Sequence, residues 1–202
     1  MNAPKRSHPN QEQAQARRSQ VLAAARECFA RKGFQGASMA EISKTAGMSP
    51  GHIYNYFESK QDIVAGIVAQ DLTHRIQMME QIRQNTDVLR ALVEYAHLGV
   101  DANLDPQVAA LNLEIMAEAA RNPEIGALVV ENSGAARRHL FDILRSVLSE
   151  AQVSDRDLSG RIETIRALFE GLNQCIIGNP KIDKEAVLGA FRIALTAILS
   201  AR

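Results

Sequence analysis

The segment Ser38–Lys60, SMAEISKTAGMSPGHIYNYFESK, decides how the rest of the chain is interpreted. Ser38 and Glu41 have the spacing of a capping box, and Ser49 stands directly ahead of a second helical stretch. Gly47 lies between the two and suits a left-handed turn. Short helices over 38–46 and 49–57, joined by such a turn, are typical of a helix–turn–helix unit.

The second of these helices gathers aromatic residues in a chain that has few. Among three tyrosines, six phenylalanines and no tryptophan, Tyr54, Tyr56 and Phe57 lie within four positions. A helical wheel at ~100° per residue places Pro50, Ile53 and Phe57 on the packed side. The outward-facing set is Gly51, His52, Asn55 and Tyr56, with Tyr54 at the boundary. Asparagine can pair with an adenine edge, and histidine or tyrosine can reach bases or phosphates, so this face suits DNA.

The formal net charge of the 202 residues is zero, but the charge is unevenly distributed. Residues 1–60 contain nine Lys and Arg against four Asp and Glu, whereas residues 61–202 contain fourteen against nineteen. A basic first part joined to an acidic remainder indicates that the first part faces a polyanion. The 46% hydrophobic content is enough for a sizeable core.

Helical periodicity runs through almost the whole chain, and no sustained period-two alternation predicts a strand. The sequence therefore predicts an all-α fold of about nine helices. Their expected ranges are 13–32, 38–46, 49–57, 60–84, 87–103, 106–121, 123–149, 155–177 and 183–201. The corresponding organisation is a flexible tail over 1–12, a helix–turn–helix domain over 13–60, and a ligand-binding and dimerisation domain over 61–202.

Several other classes of protein and site are disfavoured by the sequence. The N-terminus lacks the apolar stretch of a signal peptide, and no run approaches the ~18 apolar residues of a membrane span. Cys28 and Cys175 lack metal or redox spacing, and the five histidines show no metal-ligand spacing. Nucleotide-binding and hydrolase motifs are absent from the sequence. We therefore expect a soluble cytoplasmic protein without metal, cofactor or enzymatic activity.

The stretch from Val21 to about Ile67 resembles the DNA-binding domain of the TetR family of transcriptional regulators. The resemblance is carried by AAARECFARKGFQGASMAEISKTAGMSPGHIYNYFESKQDI. Its matching positions are Phe29, Gly33, Ser38, Ile42, Ala46, Gly47, Ser49, Tyr54, Phe57 and Lys60. The resemblance implies an all-helical homodimer whose N-terminal domains occupy successive major grooves of a palindromic DNA operator. It also implies that the C-terminal helices form a ligand pocket and the dimer interface.

The resemblance and the helix geometry together give ten candidates for contact with double-stranded DNA. They are Ser38, Met39, Lys44, Ser49, Gly51, His52, Tyr54, Asn55, Tyr56 and Lys60. Among the cations, Lys44 and Lys60 are expected to contact phosphate. Four further basic residues either extend the DNA contact or belong to a solvated tail and helix end. These are Lys5, Arg6, Arg17 and Arg18.

A ligand pocket is expected among the helices between about 63 and 177. Its candidate residues are polar side chains on mostly apolar helices. The leading candidates are His97, Asn112, Glu114, Glu118, His139 and Asn173, followed by Asn103, Asn132 and Gln174. A buried glutamate would favour a cationic ligand, whereas an apolar pocket would favour a lipid or aromatic compound. The sequence does not choose between these ligand classes.

The last two predicted helices have apolar faces, and two such helices from each of two subunits would make the four-helix interface that the resemblance implies. Alternatively, these faces belong only to the core of one subunit. The residues in question are Ile162, Ile165, Leu168, Phe169, Leu172, Ile176, Val187, Phe191, Leu195 and Ile198.

These observations predict a ligand-responsive transcriptional regulator, most simply a repressor that a small molecule releases from its operator. The helix predicted over 60–84 would join the two domains, so a ligand could alter the spacing of the DNA-reading heads. Binding is sensitive to that spacing because half-sites one turn apart require heads ~34 Å apart. Activation, a helical ligand- or partner-binding dimer without a DNA role, and an enzyme are the alternatives.

Overall fold

The computed structural model describes residues 9–148 and 153–200, and all regular structure within these ranges is helical. The all-α class is confirmed. In chain order the helices are α1 (Pro9–Gly36), α2 (Met39–Thr45), α3 (Pro50–Ile53), α4 (Lys60–Arg83), α5 (Val88–Glu94), α6 (Ala96–Asn103), α7 (Pro106–Ala119), α8 (Pro123–Val147), α9 (Asp155–Gly178) and α10 (Lys184–Ser200).

The chain forms two compact units, and the boundary between them lies within α4, between Ile67 and Val68. The sequence placed this boundary seven residues earlier. The first two turns of α4 belong to the first unit because their apolar residues complete its core. Ile63 and Ile67 are fully buried. Gly66 leaves room for the Phe57 ring, since a Cβ at Gly66 would lie 3.0 Å from Phe57 Cε1.

Helix α1 begins at Pro9, four residues earlier than the sequence predicted. Proline is tolerated in the first turn of a helix because its missing N–H has no intrahelical partner there. The predicted tail is therefore helical over residues 9–12, and its first eight residues lie outside the described ranges. The predicted end of the helix coincides with a bend at Gly33, whose φ of 71° suits glycine.

The single helix predicted over 87–103 is divided into α5 and α6 at Tyr95. Tyr95 has φ −79° and ψ −2°, and its carbonyl accepts a bond from Leu98 N, three residues on. This tighter bonding interrupts the α-helical ladder and gives ten helices in the described ranges where nine were expected. Helical periodicity in the sequence continues across such an interruption and does not reveal it.

Side-chain caps mark the start of several helices. Asp105 caps α7 and Asn122 caps α8, each ahead of a proline. Ser38 Oγ accepts a hydrogen bond from Glu41 N at 3.2 Å, which is one half of the predicted capping box. The Glu41 carboxylate lies instead 2.7 Å from Lys32 Nζ, so it joins α2 to the end of α1.

The second unit has its own apolar core between α6, α8, α9 and α10, where Leu104, Leu144 and Leu158 are fully buried. Most residues assigned to a dimer interface from the sequence belong to this core instead. Their apolar faces are already occupied by neighbouring helices of the same chain. Buried in the core are Ile162, Ile165, Leu172, Ile176, Phe191 and Leu195, with Leu168, Phe169, Val187 and Ile198 packed partly buried against it.

Lys60 joins the start of α4 to the end of α1. Its Nζ donates to Phe34 O at 2.6 Å and Ala37 O at 2.8 Å. The ammonium also lies 4.6 Å from the Phe34 ring centroid. These carbonyls follow the bend in α1, so Lys60 stabilises the bent segment.

We predict that Lys60→Met, which keeps the aliphatic stem but removes the charge, lowers the free energy of unfolding by about 2–3 kcal/mol, because two charge-assisted bonds are lost. Urea unfolding followed by circular dichroism measures the change. Lys44→Met is the matched control, since Lys44 is exposed at the end of α2. Equal stability of the two variants would contradict a structural role for Lys60.

We predict that the contribution of Glu41 to the free energy of unfolding depends on pH. Lys32 and then Arg31 lower the pKa of Glu41 below its ordinary value of 4.5 through hydrogen bonds and charge. The stabilisation is therefore present above the ordinary pKa and is lost as the pH falls through the lowered one. We expect wild type to exceed Glu41→Gln in stability at pH 7, with the gap closing below about pH 4. Glu58→Gln, at an exposed carboxylate without an ion pair in the described ranges, should show no such pH-dependent gap.

Candidate DNA-contact surface and ligand cavity

Side chains of α1 and α2 hold the helix–turn–helix in place by bonding to backbone carbonyls. Gln20 Nε2 donates to Ala46 O at 2.7 Å, at the end of α2. Ser43 Oγ donates to Met48 O at 2.6 Å across the turn. Gly47 between them has φ 63°, which supports the left-handed turn expected there. The turn is thus set by both a glycine and part-buried hydrogen bonds to the backbone.

Helix α3 is shorter than the sequence predicted and tightens after Ile53. Asn55 N bonds to His52 O and Tyr56 N to Ile53 O, both three residues back. In such 3₁₀-type bonding, residues three apart lie on the same side. Tyr56 therefore lies on the same side as the buried Ile53 and is half-buried, although the α-helical wheel predicted that it faces outward.

The wheel was right for two of its three inward residues and wrong for the third. Ile53 and Phe57 are completely buried. Pro50 is exposed, because it begins a one-turn helix directly after the turn. Tyr54, expected at the boundary, is 53% exposed.

The structure places most DNA candidates on the surface of the first unit. Ser49 stands at the N-cap of α3, yet its side chain makes no capping bond. Ser38 is exposed, and its side chain also caps α2. The exposed candidates are Ser38, Lys44, Ser49, Gly51, His52, Tyr54 and Asn55, whereas Met39, Tyr56 and Lys60 are half-buried.

His52 and Tyr56 form a pair on this surface. Their ring centroids are 5.4 Å apart, and Tyr56 Oη lies 3.4 Å from His52 Nε2. Gly51 lies beside them, and a Cβ added there would have no heavy atom within 4 Å. The packing around this position therefore does not require glycine.

Three basic residues make intramolecular contacts that differ from the DNA contacts considered in the sequence. Arg18 Nη1 donates to Tyr56 O at 2.7 Å, and its guanidinium lies 4.3 Å from the Phe57 ring centroid. Arg17 Nη1 donates to Gln20 Oε1. Lys60 is bonded to two carbonyls, which argues against its proposed phosphate contact. Lys5 and Arg6 lie outside the described residues.

A cavity of about 470 Å³ lies within the second unit. Polar, apolar and charged side chains all contribute to its wall, which is built from α4, α6, α7, α8 and α9. The lining residues are Val68, Asp71, Arg75, Asn103, Asn112, Leu113, Ile115, Met116, Val129, Asn132, Ser133, Ala167, Glu170, Gly171, Asn173 and Gln174.

The cavity includes only two of the six leading ligand candidates, Asn112 and Asn173. His139 Nε2 lies 2.9 Å from Glu80 Oε1, without the alignment of a hydrogen bond, and becomes an ion-pair partner only when protonated. His97 Nδ1 contacts Glu94 O at 2.8 Å. Glu118 is buried and lies 3.5 Å from an Arg121 nitrogen, and Glu114 also lies outside the cavity wall.

Three asparagines on different helices form a ladder at the cavity wall. Asn173 Nδ2 donates to Asn103 Oδ1 at 3.0 Å and to Glu170 O at 3.1 Å. Asn112 Nδ2 donates to Asn173 Oδ1 at 3.3 Å. The ladder satisfies Asn173, which is buried, and holds Asn112 in a defined orientation. Asn103, Asn132 and Gln174, the second group of sequence candidates, also line the cavity.

The described residues contain neither a membrane-spanning helix nor a cluster of metal ligands. No helix there is long and apolar enough to cross a membrane. Within the same residues, no group of three or more histidine, cysteine, aspartate or glutamate side chains could hold a metal ion.

Comparison with known proteins places both parts of the chain in one family. Residues 21–67 match the family described as bacterial regulatory proteins, tetR family. Residues 86–200 match the C-terminal domain described as that of BetI-type transcriptional repressors.

Individual relatives are similar along much of their length. The HTH-type transcriptional regulator UidR of Escherichia coli K12 is 30% identical over 148 residues, covering 71% of this chain and 72% of UidR. Among solved structures, Salmonella enterica GusR has a TM-score of 0.75 and 25% identity, covering 98% of this chain and all of that one. Bacillus subtilis FadR, solved with stearoyl-CoA, has a TM-score of 0.76 at 21% identity and covers 91% and 98% of the two chains.

The two family matches follow the division of the fold. The first covers the helix–turn–helix unit, and the second covers most of the unit that contains the cavity. The chain therefore belongs to the TetR family, as a DNA-binding transcriptional regulator with a C-terminal ligand-binding domain rather than an enzyme.

Proposed function

We propose that the protein is a homodimeric cytoplasmic repressor, released from a palindromic operator when a small molecule occupies the cavity. The main support is that α3 and the turn after it have one buried apolar side and one exposed, mostly polar side. Ile53 and Phe57 are fully buried, whereas Gly51, His52 and Asn55 are exposed. A short helix fastened on one side and polar on the other is suited to the major groove. The cytoplasmic location follows from the proposed operator, since the regulator acts where that DNA lies.

The exposed residues would share the work of recognition. Asn55 carries an amide suited to bidentate pairing with adenine, and the His52–Tyr56 pair offers a ring nitrogen and a hydroxyl close together. Tyr54 and Ser49 are placed to contact sugar or phosphate. Lys44 is the exposed lysine of the helix–turn–helix and is the better candidate for phosphate, since Lys60 is bonded internally.

Helix α4 would carry the ligand signal. Its first part supplies buried Ile63 and Ile67 to the DNA-binding unit, and its later residues Asp71 and Arg75 line the cavity. A ligand that contacts this later part can displace the helix and alter the spacing of the two reading heads. Release requires that the ligand bind the non-DNA state more tightly than the DNA-bound state.

Helices α9 and α10 would form the dimer interface through faces that the core leaves uncovered. On α10 this face consists of small residues around Ile193, which is 74% exposed. Small residues allow helices to pack closely, and an exposed isoleucine among them would be buried by a partner. The small exposed residues of α10 are Ala186, Gly189, Ala190, Thr196, Ala197 and Ser200, and α9 contributes Gly160, Thr164 and Cys175.

Selection of genomic DNA fragments by the purified chain tests the DNA role, and Gly51→Ala tests the surface. The added methyl group meets no protein atom but points into the space that DNA would occupy. We expect operator affinity, measured by fluorescence anisotropy, to fall about tenfold or more, which corresponds to 1.4 kcal/mol. Thermal stability should stay the same or rise, because alanine favours a helix over glycine.

Gly36→Ala is the matched control, since its added Cβ would make an ordinary 3.4 Å contact with Lys32 Cβ. Wild-type affinity should also fall steeply between ~50 and ~200 mM salt, as several phosphate contacts require. Failure of the purified chain to select any palindromic fragment would favour the ligand- or partner-binding dimer without a DNA role. Unchanged operator affinity in Gly51→Ala would exclude this face.

Ile193→Asp tests the dimer. A charge at the centre of the proposed interface would lose its water on association without gaining a partner, so we expect a monomer by light scattering. Val130→Asp is the control, because Val130 on α8 is similarly exposed, at 68%, and lies outside the proposed face. A dimer in Ile193→Asp, or a monomer in both variants, would contradict the assignment.

A further inference from the structure

We infer that the cavity takes a neutral, polyhydroxylated small molecule of the sugar or polyol class, recognised by the carboxamides of Asn112, Asn132 and Gln174. This inference rests on the proposed function, because it names the effector of that regulatory site. The volume of the cavity, about 470 Å³, lies in the ~300–1,000 Å³ range of small-molecule sites. The class of ligand then depends on which hydrogen-bonding groups of the wall are not already bonded within the protein.

Internal bonding leaves the amides with a matched set of donors and acceptors. Asn173 uses both donor hydrogens on Asn103 and Glu170 and therefore acts as a support. Asn112 donates once to Asn173, which leaves one N–H and its Oδ1. Asn132 donates once to Leu128 O, which likewise leaves one N–H and its Oδ1.

The other polar groups of the wall have similar capacity. Within the described ranges, the side chains of Gln174 and Ser133 make no intramolecular hydrogen bond, so their donors and acceptors remain for solvent or ligand. A hydroxyl group likewise both donates and accepts. A compound with several hydroxyls therefore matches this wall better than a group that only donates or only accepts.

The charged residues argue against an ionic ligand. Glu170 Oε1 already accepts from Arg166 Nη2 at 2.9 Å, and the wall contains no aromatic ring to hold a cation. Because Glu170 is paired with Arg166, an anion would meet the carboxylate of Asp71 as well as the guanidinium of Arg75. The wall thus has no surplus of positive charge for a phosphate or carboxylate.

The amides also argue against a long acyl chain. Such a chain would remove water from Asn112 and Asn132 without replacing the lost hydrogen bonds, which is unfavourable at each buried polar group. The apolar residues between them, such as Leu113 and Val129, are instead available for the C–H faces of a sugar ring.

The test is calorimetric titration of the purified full-length chain with methyl glycosides of common hexoses, with N-acetylglucosamine and with inositol. Choline, inorganic phosphate and stearoyl-CoA are the comparison probes. We expect at least one neutral probe to bind, and Asn112→Ala to weaken it about tenfold through loss of direct hydrogen bonds. Asn132→Ala should also weaken it, and that variant removes only a bond within its own helix.

Gln107→Ala is the matched control, since Gln107 is exposed on the same helix as Asn112 but does not line the cavity. Absence of binding by every neutral probe overturns the proposal, as does binding that both asparagine variants leave unchanged. Binding of choline, phosphate or stearoyl-CoA in a manner that depends on Asn112, without neutral binding, also overturns it. Specific binding to selected DNA is measured separately without ligand, so failure of the effector class is distinguished from failure of the DNA role.

Discussion

The DNA-contact unit depends on holding helices that are too short to be stable alone. Helix α2 has seven residues and α3 has four, whereas isolated helices below ~12–15 residues are marginal in water. Burial of Ile53 and Phe57 supplies the apolar part of the attachment. Bonds from Gln20 and Arg18 of α1 to carbonyls at the ends of α2 and of the turn after α3 supply the directional part. The outward side chains of α3 and of the turn after it are therefore not needed to hold these elements in place.

Some basic residues of the DNA-binding unit attach its short helices instead of facing outward. Arg18 and Lys60 satisfy backbone carbonyls that helix ends leave without partners, and each also lies against an aromatic ring. A neutral side chain could not donate as strongly to those carbonyls. Net charge over a segment thus indicates a polyanionic partner only after the internally bonded cations have been set aside. Under the proposed function, the exposed Lys44 is then the better candidate for a phosphate contact.

Sequence patterns sufficed where the deciding interactions were local. The capping bond from Ser38 to Glu41 N and the burial of Ile53 and Phe57 follow from spacing between near neighbours in the sequence. The convergence of asparagines at the cavity did not follow, because it joins residues 61 and 70 positions apart. Periodicity states which side of a helix is polar, whereas packing decides which polar sides meet. For that reason His97 and His139 were plausible candidates in the sequence, yet they lie outside the cavity wall.

The amide ladder also constrains how a ligand could act on the rest of the protein. Its members come from α6, α7 and α9, and they are bonded to one another. A pre-organised wall of this kind can bind a ligand without itself changing shape. We propose that the element that responds is α4, because its Asp71 and Arg75 line the same cavity. Under the proposed mechanism, the side-chain amides of the wall would determine which ligand binds, and contacts to α4 would determine whether binding changes DNA affinity. Only a ligand whose contacts to α4 differ between the two states can shift the balance between them.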